Sequence, residues 1–467
     1  MREESPNCNG LVGVGRSICE HPASTTPVHQ SVHIPYGFWV LVVLAAVIMV
    51  LTALSPLLRR RAPRVWWTLC GYPAAAVRIR WTWRRLTDVQ YLSVSKRPAL
   101  GIVGDMVVRG RALKQIPPRM GLPRWRRGGL LVRVRLHSGQ TPEQYQLAAE
   151  AMSHAWRMYS VRVTSDARGF VEIRAAAWDP LATPSVPRSL VVELLSAVVG
   201  QWEDSTEWTV NLRRVPHWLI VGATRSGKST LLASLVSAWA RQRVALVGID
   251  LKGGMELSLF QARLTALATT RAGAADLLST LVTMANDRME LCRSVGARSI
   301  WELPDKLRPM PVIVLVDELA ELYLMATTAE KAEVAQVSTA LLRLAQLGAA
   351  LGLHLVVSGQ RVGSDMGVGV TALRAQLGGR VCHRVNDVGT AEMALGDLDK
   401  DALAVAQQIT AEQQGVAVAF GDDGGWMRAR SILTTPEQAR RIAERYAHLA
   451  PSMGQLGTYQ RQAGGTP

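Results

Sequence analysis

Cysteine is scarce in this chain of 467 residues, and its five copies are scattered. No two stand at metal-ligand spacing, which excludes a zinc scaffold, and the pattern is not the disulfide frame of a small secreted domain. Cys70, Cys292 and Cys382 are expected as free thiols. Lysine is rare too, supplying seven of the 53 Lys and Arg residues. Acidic residues number 37, so the formal net charge is +16. No internal repeat is present, which argues against solenoids and propellers. Long charge-free apolar runs are also missing, with one exception.

The exception is "FWVLVVLAAVIMVLTALSPLL", Phe38 to Leu58. At about 1.5 Å per residue it matches the roughly 30 Å hydrocarbon core of a bilayer. A buried globular helix is the alternative, but such helices rarely run this long without a charge. A cleaved signal peptide fits less well, because Glu3, Glu4 and Glu20 precede the run and arginines follow at once. Arg59, Arg60, Arg61 and Arg64 against a slightly acidic tail predict residues 1–36 outside, a single span at 37–58 in the cell membrane, and the remainder in the cytoplasm. Cys8 and Cys19 then lie outside, where a disulfide is chemically permitted. The next apolar piece, "VWWTLCGYPAAAV" (Val65 to Val77), is short and tryptophan-rich, and reads as an interfacial segment, with a re-entrant loop as the alternative.

The positive charge is concentrated. Nineteen Lys and Arg but two acids, Asp88 and Asp105, fall between Arg59 and Arg135, so this stretch holds essentially all of the net charge. It reads as a basic juxtamembrane region over 59–125. Anionic lipid and a nucleic-acid polyanion both suit it, and composition does not choose between them. After it, "LLVRVRLHSG", a helical segment through "TPEQYQLAAEAMSHAWRM", then "YSVRVTS" and "GFVEIRAAA" predict a small α/β subdomain at 126–200, ending near a linker at "WDPLATPSVP".

The strongest signal is "PHWLIVGATRSGKSTLL", Pro216 to Leu232. A short apolar strand leads into Gly222, Ala223, Thr224, Arg225, Ser226, Gly227, Lys228 and Ser229, and helical spacing follows from Thr230. This matches the phosphate-binding loop of a nucleoside triphosphate site, for which ATP is the expectation. Its backbone N–H groups wrap phosphate at a helix N-terminus, Lys228 reaches the β- and γ-phosphates, and Ser229 holds Mg²⁺. With so few lysines, a chance match is disfavoured. "PVIVLVDELAEL" (Pro311 to Leu322) is a buried strand ending in Asp317 and Glu318. Asp317 fits the carboxylate that orients the magnesium shell and Glu318 the base that positions the attacking water; a strand with an N-capping Asp is the bland alternative. "LHLVVSGQ" ends in Gln360, a candidate γ-phosphate sensor at the carboxyl edge of the sheet. Strands at 218–221, 244–250, 312–316 and 353–358 alternate with helical segments, which predicts an α/β motor with a mostly parallel, doubly wound sheet over 208–430. Residues 431–467 read as a helix and a polar, Gly-rich tail.

Together these segments resemble a known family. "PHWLIVGATRSGKST", "GIDLKGGMEL", "VIVLVDELAEL" and "LGLHLVVSGQR" are similar, in that order, to the RecA-like core of the FtsK/SpoIIIE double-stranded DNA translocases. "GSDMGVGVTALRAQLGGRVCHRVNDVGTAEMALGD" (Gly363 to Asp397) looks more like the transfer proteins of actinobacterial conjugative plasmids and integrative elements. The resemblance implies a membrane-tethered hexameric ring that threads duplex DNA through its pore, with ATP at each subunit boundary and other transfer proteins as candidate partners. It places Arg361 and Arg374 toward DNA phosphate, with a solvated or structural arginine as the alternative for each. Lys252 and Glu256 match a family motif near the nucleotide face. Where many relatives carry an arginine that reaches a neighbour's nucleotide, this chain has Ala349, leaving Arg343, Arg380 and Arg384 as substitutes. The winged-helix module of many relatives does not fit in the residues after the motor.

Three other uses share parts of this pattern. Chromosome-segregation pumps commonly have several spans and the recognition module. Type VII secretion ATPases chain several ATPase domains, whereas one phosphate loop is present here. Single-stranded DNA coupling proteins carry a helical insertion that this motor lacks. A conjugative duplex-DNA pump is therefore the expectation.

Overall fold

A computed structural model describes residues 36–96, 114–183 apart from two single positions, 193–420 apart from five, and 424–456. The tail with Cys8 and Cys19 and the residues from 457 onward lie outside the described residues. The chain divides into two compact units, Met1–Ala62 and Pro63–Pro467. In the first, α1 is one continuous helix, Tyr36–Arg61, which passes through Pro56 and ends in Arg59, Arg60 and Arg61. Its stretch Val42–Arg61 is long and apolar enough to cross a membrane, and none of it is buried in protein. Cationic side chains at a helix C-terminus also suit the helix dipole.

The second unit starts with α2 (Pro63–Trp66), a π-turn at Trp67–Gly71 and α3 (Tyr72–Val89). Short strands follow: β1 (Val94–Lys96), β2 (Lys114–Ile116), β3 (Arg119–Met120) and β4 (Arg124–Arg126). Next come β5 (Gly129–Arg135), α4 (Pro142–Leu147), α5 (Ala149–Trp156), β6 (Ser160–Thr164) and β7 (Phe170–Ala176). Strands β3, β5, β7 and β6 form an antiparallel sheet in that order, with β4 on β5. One face of this sheet and helices α4 and α5 bury a core with Val132, Val134, Tyr145, Met152, Trp156, Val171 and Ile173.

That core also takes in one face of the tryptophan-rich segment and of the helix that continues it. Trp67, Ala75, Ile79 and Trp83 are buried in it, and the indole N–H groups of Trp67 and Trp83 donate to the carbonyls of Gly129 (3.1 Å) and Pro118 (2.9 Å). One face of the segment therefore meets protein rather than headgroups. The reason is physical: tryptophan suits either environment, provided its N–H finds an acceptor.

The larger sheet has ten strands, β8 (Ser196–Trp202), β9 (Glu207–Asn211), β10 (Trp218–Val221), β11 (Ala245–Ile249), β12 (Ala266–Ala268), β13 (Val312–Val316), β14 (Leu353–Gly359), β15 (Gly379–His383), β16 (Val416–Phe420) and β17 (Trp426–Ser431). Their order is β12-β11-β13-β14-β10-β15-β16-β17-β8-β9. The first six run parallel, as expected from the alternating strand and helix pattern. The last four extend the sheet antiparallel, so it begins at Ser196, ahead of the position 208 expected for the motor. Arg162 on β6 and Arg428 on β17 both pair with Glu203, and Arg174 on β7 lies 3.3 Å from Asp204, which ties the small sheet to this edge.

The helices that cover the large sheet are α6 (Lys228–Trp239), α7 (Arg271–Ser294), α8 (Leu319–Tyr323), α9 (Lys331–Leu351), α10 (Val370–Gln376), α11 (Val388–Ala391), α12 (Lys400–Gln407) and α13 (Pro436–Arg445). Alternation along each parallel strand sorts residues into two cores. Val312, Val314 and Val316 face α7 and α9, while Ile313 and Leu315 face α6 and α13. Both faces are covered, hence the unbroken runs of branched aliphatics. The helix α9 is also apolar enough to span a membrane by composition, but half of it is buried in this core.

Candidate functional site

The site grows from the carboxyl edge of three neighbouring strands. Because β14 lies between β13 and β10, their ends bring Gln360, the Asp317–Glu318 pair and the phosphate loop side by side. Gly222 to Thr230 form the turn from β10 into the first positions of α6. The turn is anchored at several points: Ala223 N–H donates to the Arg384 carbonyl (2.8 Å), and Gly415 N–H to the Ser226 carbonyl (2.9 Å). Gly227 has φ +114°, and a Cβ there would stand 2.5 Å from Gly415 backbone atoms, so glycine is required for conformation and for space. Arg225 takes φ +60° at the exposed apex of the loop.

Charges converge below this loop. Lys228 Nζ donates to the Asp317 carbonyl at 3.0 Å and lies 3.6 Å from Glu318 Oε2 and 3.9 Å from Asp317 Oδ1. Lys228, Asp317 and Glu318 are all buried. Burial pushes the Asp317 carboxyl up to about 6 against the pull of the Lys228 ammonium. Its Oδ1 is buried with no hydrogen-bond partner, an orphan acceptor beside the phosphate loop. Ser229 Oγ donates to Glu256 Oε1 at 3.0 Å. Among the described residues no three His, Cys, Asp or Glu side chains form a metal cage. The donors at hand, a hydroxyl and a carboxylate, suit a hard cation that keeps most of its waters.

Gln360 joins the cluster by backbone and side chain. Its N–H donates to Glu318 Oε1 at 2.9 Å, and its side-chain oxygen accepts from Thr224 Oγ1 at 3.5 Å. Ser358 Oγ donates to the Val316 carbonyl (3.0 Å) and to that of Asp317, locking β14 against β13. Two interactions have no counterpart among the sequence expectations: Lys252 Nζ reaches Glu318 Oε2 at 3.1 Å, and Glu256 occupies the Ser229 hydroxyl. The motif "GIDLKGGMEL" carries these residues but not their targets. Burial pulls the Lys252 ammonium down, but the carboxylates around it, Glu318 first and then Asp317 and Glu321, together leave the pKa above the ordinary lysine value.

Sequence comparison decides the family. The actinomycete conjugal transfer protein N-terminal domain matches residues 35–177, and the FtsK/SpoIIIE family matches 193–309 and 302–364. Transfer protein TraSA of Streptomyces ambofaciens is 41% identical over 355 residues, 74% of this chain and 86% of that protein. This chain belongs to the FtsK/SpoIIIE family, in its conjugal transfer branch. DNA translocase FtsK of Listeria monocytogenes serovar 1/2a is 29% identical over 257 residues, 49% of this chain and 33% of that protein. Among solved structures, the pCW3 conjugation coupling protein TcpA, in its monomer form with ATPγS, superposes with a TM-score of 0.51 at 20% identity, covering 72% of this chain and 94% of the other. That likeness concerns the fold.

The remaining FtsK/SpoIIIE positions fall as follows. Arg361 is exposed just beyond β14, and Arg374, on α10, donates to the Val362 carbonyl at 3.4 Å, so both belong to one loop region. Ala349 lies near the end of α9, where its carbonyl accepts the Trp301 indole N–H at 3.1 Å. Of the three arginines offered as substitutes, Arg343 is exposed on α9, and Arg384 donates to Thr224 of its own phosphate loop (3.2 Å). Arg380 is buried and donates to the Arg374 carbonyl at 2.6 Å. That contact lies within its own chain.

Proposed function

We propose that this chain is a membrane-anchored, ATP-driven pump for double-stranded DNA that works in conjugative transfer. The observation that carries the reading is the convergence of Lys228, Asp317, Glu318 and Gln360 at one sheet edge in a member of the FtsK/SpoIIIE family. Gly222 to Thr230 would wrap the phosphates of ATP, and Ser229 and Asp317 would hold Mg²⁺. The orphan Asp317 oxygen supports that assignment. When bound, the metal would neutralise charge across the β- and γ-phosphates. Lys228 binds the same phosphates, Glu318 orients the attacking water, and Gln360 senses the γ-phosphate. Arg361 and Arg374 would hold DNA by its backbone, which a pump grips without reading bases.

The assembly is a homo-oligomeric ring, by kinship a hexamer. Its anchor is α1, crossing once with the N-terminus outside and the motor in the cytoplasm, which the arginines at the end of α1 support. The outward residues Val65, Leu69, Val77 and Trp81, the last 82% exposed, give the following segment an apolar side suited to the bilayer surface. The basic stretch 59–125, the small α/β subdomain that follows it and a motor whose sheet starts at Ser196 and runs to about 430 are the working divisions.

The test is ATPase rate of the purified full chain with no polymer, duplex DNA, single-stranded DNA or a candidate secreted protein. Stimulation by duplex alone, abolished by Lys228→Ala and Glu318→Gln, is the expected result. Stimulation by single strands or by protein, with duplex inert, would overturn it.

A further inference from the structure

Glu318 is held from both sides. Its Oε1 accepts the Gln360 N–H at 2.9 Å, and its Oε2 lies 3.1 Å from Lys252 Nζ and 3.6 Å from Lys228 Nζ. The two lysines differ in what else claims them. Lys228 stands in the phosphate loop, so a triphosphate competes with Glu318 for its ammonium. Lys252 stands outside that loop, on the turn after β11.

That turn is braced around Asp250, which is fully buried. Asp250 Oδ1 accepts the Lys252 N–H at 3.2 Å, and Oδ2 accepts the N–H groups of Glu256 (2.9 Å) and Leu257 (3.1 Å). Gly253 and Gly254 take φ +72° and +75°, which lets the chain fold back on the carboxylate. A carboxylate that accepts three backbone N–H groups fixes the turn and, with it, the root of the Lys252 side chain.

We propose that Lys252 is the positioning residue for Glu318. From its braced turn the ammonium keeps Glu318 Oε2 in place when phosphate draws Lys228 away, so that Oε1, seated on the sensor strand, and Oε2 keep one orientation toward the attacking water. Lys252 acts through Glu318 and does not itself bind nucleotide. The inference rests on the ATPase reading.

Steady-state turnover and the affinity for a fluorescent ATP analogue, measured without turnover, are compared for the full chain, Lys252→Met and Lys252→Arg. We expect kcat to fall about tenfold or more in Lys252→Met, the analogue affinity to stay within about threefold, and Lys252→Arg to recover most of the loss. In single-turnover assays, adding Lys252→Met to Glu318→Gln costs nothing further, because the partner is already gone. Unchanged or raised turnover in Lys252→Met, an affinity that falls in step with kcat, or an additive loss on top of Glu318→Gln overturns the proposal. A wild-type chain that hydrolyses no ATP overturns the ATPase reading, and this inference with it; failure of the Lys252 variants alone leaves that reading standing.

Discussion

The two edges of the parallel sheet bury ionisable groups to different ends. At the amino edge, Arg288 donates to the carbonyls of Leu351 and Met310, both at 2.7 Å, and Arg263 to those of Ala240, Gln242 and Val244. His217 accepts the Leu355 N–H, and His354 sits 3.2 Å from the Pro216 carbonyl. Burial lowers Arg288 and Arg263 to about 10, His217 to about 4 and His354 to about 3. At the carboxyl edge Asp317 is pushed up to about 6, while burial brings His383, at the end of β15, down to about 4 and raises Cys382 beside it to about 12. A perturbed pKa therefore does not single out the working edge. What does is convergence: cations and carboxylates meet one another at the carboxyl edge, whereas at the amino edge the cations each close on backbone carbonyls.

The contrast is sharpest when each edge is damaged in turn. Lys228→Ala and Glu318→Gln should each lower ATP turnover about a thousandfold, with nucleotide affinity lost in the first and kept in the second. The fold should hold in both, which a melting curve checks. Residual turnover above about a tenth would mean that hydrolysis happens elsewhere. Arg288→Met should do the reverse. It leaves buried carbonyls at the ends of two elements without donors, at a cost of about 2–4 kcal/mol in chemical denaturation, while the KM for ATP stays put. A shift in KM of more than about threefold would show the amino edge to be part of the site.

The carboxyl edge is readable from the sequence and the amino edge is not, for a reason of spacing. Gly222 to Ser229, Asp317, Glu318 and Gln360 are each local patterns: a strand, a polar turn, then a helix. The parallel sheet follows from the same alternation. Arg288 and Arg263 give no such pattern, since their partners lie 19 to 63 residues away in sequence. Long-range pairing also hides the antiparallel extension, where β17 joins β8 across more than 200 residues. Lys252 and Glu256 fall between these cases. Their motif is visible, but what they touch depends on the turn around Asp250, which no local pattern encodes. Trp67 and Trp83 show the limit of composition, because an indole-rich segment suits lipid and a protein core equally well.

Acid should act on both edges together, with a smaller effect. In the unfolded chain a histidine titrates near 6.5, whereas His217 and His383 stay neutral in the fold until about pH 4 and His354 until about pH 3. Below pH 6.5 the unfolded state takes up protons that the folded state refuses, so stability falls as pH drops from 6.5 toward 4. At pH 5.5 the loss is about 1 kcal/mol per histidine relative to pH 7.5, read from urea midpoints. His354→Gln should flatten this slope, and a wild-type stability that is level across the window would count against neutral burial of the three.

The smallest effect is expected just beyond the carboxyl edge, at Arg361. Its neighbour Gln360 is tied to Glu318, the proposed water-positioning residue, through the backbone, so a force on the Arg361 loop reaches that carboxylate. Yet the Arg361 side chain is exposed and makes no part of the charge cluster. Arg361→Ala should therefore leave DNA-free turnover unchanged and lower the duplex-stimulated rate about threefold to tenfold. The slope of log affinity against log salt should shrink by about one for each phosphate no longer neutralised. Arg374→Ala offers the contrast within the same loop region, because its guanidinium also supports the Val362 carbonyl and its removal should lower stability as well as DNA response. An equal fall of basal and stimulated rates in Arg361→Ala would place that arginine inside the hydrolytic centre and erase the line drawn between the edge and the loop that follows it.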